Sequence, residues 1–286
     1  MAIYKHNYSG YSGRLTSRWS RCLILTRYNW ARLFHSKFLV LFMALCLCYP
    51  ILGVVFIYLS HNEPFQRMIG FRAFPLLTID GFFFYTFCVM QGAMAYLLTA
   101  LLGPTLVSPD LANGALPLYL CRPFSRAEYI IGKMGVLLAA LALITWIPGL
   151  ALFGLQSLLA GWGWLTANLW LAWGIFFGLF IWTVVLSLIA LALSAWVKWK
   201  IAAGALVLAV FFAGAGFGNA IDSVMRTSYG SLINLSRVIH AIWAELFRYD
   251  ARIDMMQSDA WLVLGVTCTT CLLLLAKRIR AFEVIK

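Results

Sequence analysis

The acids, bases and histidines of this chain lie outside its long apolar runs, and the spacing of its reactive groups completes no catalytic set. The stretch 127–134 (AEYIIGKM) holds Gly132-Lys133, the tail of a phosphate-binding loop. Ala127 stands where that loop needs its first glycine, and Met134 where a Ser or Thr would hold magnesium, so the stretch cannot cradle a nucleotide. His6, His35, His61 and His240 are too scattered to suggest a metal set. Cys268 and Cys271 fall on one helical face; a metal or redox pair is one reading, and packing by small polarisable side chains is the simpler one. Asp250 and Asp254 also share a face, but Arg252 between them fits a solvated acidic loop better than paired catalytic carboxylates. No Ser/His/Asp arrangement can be assigned. The expectation is a chain that is not an enzyme and carries no cofactor or metal of its own.

These residues hang on six apolar runs, at about 38–60, 81–107, 134–156, 167–197, 201–221 and 260–276. Each is long enough to cross a bilayer as a helix of about 20 residues, and none contains an Asp, Glu, Lys, Arg or His. Proton relays and ion-coupled carriers place such groups within the bilayer, so the driving force is expected to come from another polypeptide. With 63% hydrophobic residues and a mean hydropathy of +0.87, the chain has more apolar surface than a soluble domain can hide. Continuous apolar runs rather than alternating ones select helices over a barrel. The fold class expected is all-α, a polytopic membrane protein with six transmembrane helices.

The net charge of +12 is unevenly spread. Sixteen of the 22 Lys and Arg residues fall before the first run, between the second and third, between the fourth and fifth, and after the sixth. The positive-inside rule then places both termini in the cytoplasm. Orientation and anionic lipid account for the basic excess, and no nucleic-acid partner is expected. No disulfide is expected, because no cysteine falls on the outer side. No cleavable signal is expected either, since the first run follows a long basic segment.

Along the chain, residues 1–13 read as a loose tail. Residues 14–36 read as an amphipathic elbow helix, with Leu15, Trp19, Cys22, Leu23, Thr26, Trp30 and Leu33 on one stripe. It is expected in the cytoplasmic interface with its stripe in acyl chains, as an anchor or as a brace for the first span. Residues 1–36 thus form a tail and elbow, and 37–286 the six-helix domain. Pro148 and Gly149 should bend the third span. Gly174 and Gly178, and Gly214 and Gly218, have the spacing that lets helices approach closely, within one subunit or at a seam between two. In the outer loop 222–259, Leu232, Leu235, Ile239, Ile242, Trp243 and Leu246 follow helical spacing. A surface helix is the simpler expectation there; a cap over a pathway is the other. Gln91 and Asn219 are candidate path-lining residues, because an amide is costly in lipid without a partner or water.

The segment 106–134 (LVSPDLANGALPLYLCRPFSRAEYIIGKM) is the most distinctive. Ser108 as N-cap, Pro109 at the first helical position and Asp110 near the positive end predict a short helix over about 108–120. Ser125 and Glu128 have capping-box spacing for the next helix. Such a short helix is either an ordinary interfacial connector or a lever on the second and third spans. The segment resembles the first cytoplasmic loop of ABC-2 type transporter permeases through Asp110, Leu116, Leu118, Pro123, Ser125, Arg126, Gly132 and Lys133. That family usually has Glu where Asp110 stands. The basic N-terminal helix, six spans, long last outer loop and the ending at 278–284 (RIRAFEV) are similar as well. The resemblance implies a coupling helix docked on a separate ABC ATP-binding subunit, which holds the ATP and magnesium, and two permease subunits around a shared path. The docking residues it implies are Ser108, Asp110, Leu116, Leu118, Arg122, Ser125, Arg126 and Lys133. Expected, then, is the permease of an ATP-driven exporter in a prokaryotic cell membrane; a non-transporting anchor subunit is the alternative.

Overall fold

The computed structural model describes residues 18–62, 64, 79–115, 126–226, 229–250 and 255–278. Nine α-helices and one short 3-10 helix make up the ordered elements among these residues. They are α1 (Arg18–Phe34), α2 (Lys37–Ser60), α3 (Gly81–Ala112), α4 (Arg126–Ile144), α5 (Trp146–Ala160), α6 (Trp162–Trp196), α7 (Lys200–Met225), a 3-10 turn (Tyr229–Ile233), α8 (Leu235–Leu246) and α9 (Gln257–Arg278). Six helical stretches are long and apolar enough to span a membrane, with α4 and α5 together forming the third. They follow the six apolar runs closely. The largest difference is at the third, which begins at Arg126 rather than at about 134.

The core is built around α3 and α6, the most enclosed of the long helices, whereas α2, α7 and α9 lie at the periphery. Asp80 starts α3 by accepting hydrogen bonds from the backbone N–H groups of Phe82 and Phe83, the usual way a short acidic side chain meets unpaired first-turn donors. The third span is broken where proline requires it. Pro148 has no N–H for the carbonyl of Ile144, and α4 ends at Ile144, with Thr145 out of helical conformation before α5 begins.

Helix α1 forms over Arg18–Phe34, while the side chains of Leu15, Trp19, Cys22 and Leu23 on the expected stripe lie outside the described residues. Thr26 and Asn29 face the start of α4 near Gly132, Lys133 and Gly135, so α1 braces the third span more than the first.

The segment 229–247 departs most from its expectation. It is no surface helix: Val238, Ile239, Ile242 and Trp243 are all buried. The 3-10 turn runs back along α7, where the carbonyls of Gly230 and Ile233 pack against Gly218 and Gly214. Helix α8 then lies against α6 and α3. The indole Nε1 of Trp243 donates to the Gly178 carbonyl at 3.0 Å, and that of Trp182 donates to the Gly92 carbonyl at 3.0 Å. Gly178 lies sixteen residues from the start of α6, about 24 Å along the helix axis. Both pairs of spaced glycines thus receive this one re-entrant segment. A Cβ on Gly178 would come within 2.9 Å of the Trp243 ring, and one on Gly214 within 2.8 Å of the Ile233 carbonyl.

The wedge should therefore be sensitive to side-chain volume at its receiving surface. Gly178→Leu or Trp243→Ala is expected to lower unfolding stability by about 3 kcal/mol or more, measured by SDS titration in mixed micelles. Gly163→Leu, at a position where an added Cβ meets nothing within 4 Å, should leave it unchanged.

Candidate functional site

Among the described residues, two polar constellations each join three helices, one near the basic end of the bundle and one at mid-span. The first joins three helices. Asp110, in the last turn of α3, forms an ion pair with Lys133 of α4 at 2.8 Å. The same carboxylate oxygen accepts a 2.8 Å hydrogen bond from the Tyr129 hydroxyl, one turn earlier on α4. Lys133 also donates to Asn29 Oδ1 of α1 at 3.3 Å, and Thr26 of α1 donates to the Gly132 carbonyl at 3.0 Å. The side chain of Lys133 is 3% exposed and that of Asp110 14%. A pair so enclosed holds only because both charges are paired and hydrogen-bonded. Its architecture follows from helical spacing: Tyr129 and Lys133, four residues apart, lie on one face of α4 and converge on one carboxylate.

The docking residues expected from sequence separate into four groups. Ser108 does not cap a new helix. It lies inside α3, fully buried, and donates to the Ser194 carbonyl of α6 at 3.3 Å. Packing of Leu106, Val107 and Ser108 into the bundle carries α3 through Pro109 to Ala112. The Asn113-Gly114 pair, with Gly114 at φ 64, ends it instead. That pair was the sequence signal for the true boundary, and the Ser-Pro-Asp start pattern outweighed it locally. Asp110 and Lys133 are brought together as an enclosed ion pair. Arg126 is exposed at the start of α4. Leu116, Leu118, Arg122 and Ser125 lie outside the described residues, as does the 116–120 part of the expected 108–120 helix.

The second constellation centres on Gln91, fully buried on α3. Its side-chain amide donates to the Cys46 carbonyl of α2 at 2.8 Å and to the Ile144 carbonyl of α4. Both acceptors have the same origin. Cys46 precedes Pro50 by four residues and Ile144 precedes Pro148 by four, so neither has an intrahelical N–H to accept from. One amide thus meets two carbonyls that two prolines leave unpaired. Gln91 thus ties three helices together. Asn219, the other path candidate, is exposed near the far end of α7.

His240 of α8 was set aside in sequence because it lies outside the six runs. The structure carries it into the bundle, with its ring 5.5 Å from that of Trp243. Burial holds its imidazole below the usual histidine pKa, so it adds no charge there at neutral pH. Among the described residues no group of three His, Cys, Asp or Glu side chains could hold a metal ion.

Two substitutions separate these roles. Gln91→Leu should cost about 1–3 kcal/mol for each carbonyl left unpaired. Much of that loss should return in the triple variant with Pro50→Ala and Pro148→Ala, in which backbone N–H groups replace the amide. Lys133→Met should cost about 3 kcal/mol by leaving a carboxylate enclosed without its cation. Adding Asp110→Asn should recover most of it, and a double-mutant cycle measures the coupling. The sequence matches no protein-family model and no curated protein sequence.

Proposed function

We propose that this chain is the membrane-spanning permease subunit of an ATP-driven ABC-2 type transporter, working as an exporter. A separate ATP-binding subunit presses on the 113–125 loop, and a second permease, a copy of this chain or a sister, completes the path. The observation that carries this reading is the Asp110–Tyr129–Lys133 cluster. It joins the two helix ends that flank the loop, and through Asn29 it engages α1 as well. A load on the loop then moves α1, α3 and α4 together, because separating them would strand a charge in a poorly solvated site. The exposed Arg126 guanidinium at the loop's edge suits contact with a partner. The distribution of basic residues supports placing the loop and both termini in the cytoplasm of a prokaryotic cell. The resemblance in residues 106–134 supplies the family.

Affinity purification of the full chain from native membranes provides the test. A nucleotide-hydrolysing subunit should co-purify, and its turnover should depend on this chain. Arg126→Ala should weaken that association or the coupled hydrolysis by about tenfold, the loss of one charge-assisted contact of roughly 1.5 kcal/mol. A partner that binds the chain yet hydrolyses nothing would favour the anchor role. Accessibility mapping that places 113–125 on the extracellular face would overturn the scheme.

A further inference from the structure

At the basic end, the starts of α2 and α7 stand on either side of the inner half of α3 and leave a groove of about 550 Å³ between them. Its floor is α3, around Leu97, Leu101 and Thr105, and its walls come from Phe38 and Phe42 on α2 and Leu208 on α7. Thr105 is the polar side chain on that floor, and its hydroxyl donates to the Leu102 carbonyl at 2.7 Å. The floor is sealed where α7 meets α3: a Cβ on Gly204 would come within 2.7 Å of the Ala100 carbonyl. That carbonyl is again one freed by a proline four residues on, Pro104, and close approach by a glycine covers it.

The groove's dimensions and polarity describe one kind of ligand. From Lys200 to Leu208 it runs eight residues along α7, about 12 Å. Half of a bilayer's hydrocarbon core is about 15 Å. No carboxylate lines the groove, and Ser36 and Lys200 stand at its end. Lys37 and Lys198 are exposed beside them, and none of the three lysines has an ion-pair partner among the described residues. An apolar slot of about one leaflet's depth, ending in unpaired cations, is complementary to a tail joined to a negative headgroup.

We propose that this groove binds an anionic phospholipid from the Lys200-side leaflet, one acyl chain lying along α3 and the phosphate meeting Lys200. A zwitterionic phospholipid gains the same tail contacts but less from the lysine. The site is independent of ATP-driven movement, since it needs only the isolated chain.

The test uses the delipidated full chain in detergent, titrated with dioleoyl phosphatidylglycerol or dioleoyl phosphatidylcholine and read by native mass spectrometry. One phosphatidylglycerol should be retained about fivefold more tightly than phosphatidylcholine. Lys200→Gln should abolish that preference, whereas Lys277→Gln should preserve it. Ala205→Trp, which fills the groove from an exposed position, should weaken both lipids. Equal retention of the two lipids by the unsubstituted chain, or an unchanged preference in Lys200→Gln, overturns the proposal. The charge variant decides the matter by itself where the tryptophan variant does not fold. Neither result bears on whether the chain works with an ATP-binding subunit, because no nucleotide or partner is present.

Discussion

A carbonyl without a hydrogen-bond donor is the constraint around which this bundle is organised. In water, proline in a helix releases a carbonyl that solvent can satisfy; in a hydrocarbon interior it must be met by protein. Pro50 and Pro148 release one each, and Gln91 answers both. Pro104 releases a third, which lies against Gly204. The proline inside α2 and the break between α4 and α5 are therefore not independent of each other. They are held in register with each other by a single side chain on the helix between them, and α3 acquires its central position partly because it carries that side chain.

The second organising feature is the segment that folds back between the spans. Interfaces inside a bilayer gain little from the hydrophobic effect, so packing and directed hydrogen bonds carry them. Trp243 illustrates both. Its ring occupies space that glycines at 92 and 178 leave open, and its N–H is taken by the Gly178 carbonyl. A tryptophan can be buried so deeply because its one polar atom has a fixed acceptor.

Much of the architecture was legible in sequence, for identifiable reasons. Hydrophobic length gives the spans directly, because the bilayer thickness is fixed and water is excluded from it. Pro148 correctly marked a break, since the missing N–H acts locally. What could not be read were relations between distant residues. The apolar stripe from Leu235 to Leu246 had the right periodicity, but periodicity defines a face and not what covers it. The spaced glycines at 174, 178, 214 and 218 signalled close approach without naming the partner. Gln91 was noticed as costly in lipid, yet its partners lie 45 and 53 residues away. Lys133 and Asp110 were both read as docking residues, with no sign in the sequence that they meet each other. Their pairing depends on α3 continuing past Ser108, which tertiary packing decides against a strong local start signal.

The attachment of α1 to α4 has a consequence for how the chain is made. Thr26 precedes the Gly132 carbonyl to which it donates by 106 residues. At ribosomal speeds of about 5–20 residues per second, the N-terminal helix emerges roughly 5–20 s before its partner exists. During that interval Thr26 and Asn29 are without the α4 groups they meet in the finished chain. The clasp that fixes the N-terminal helix is thus among the later contacts to form, closing only after the third span has been made.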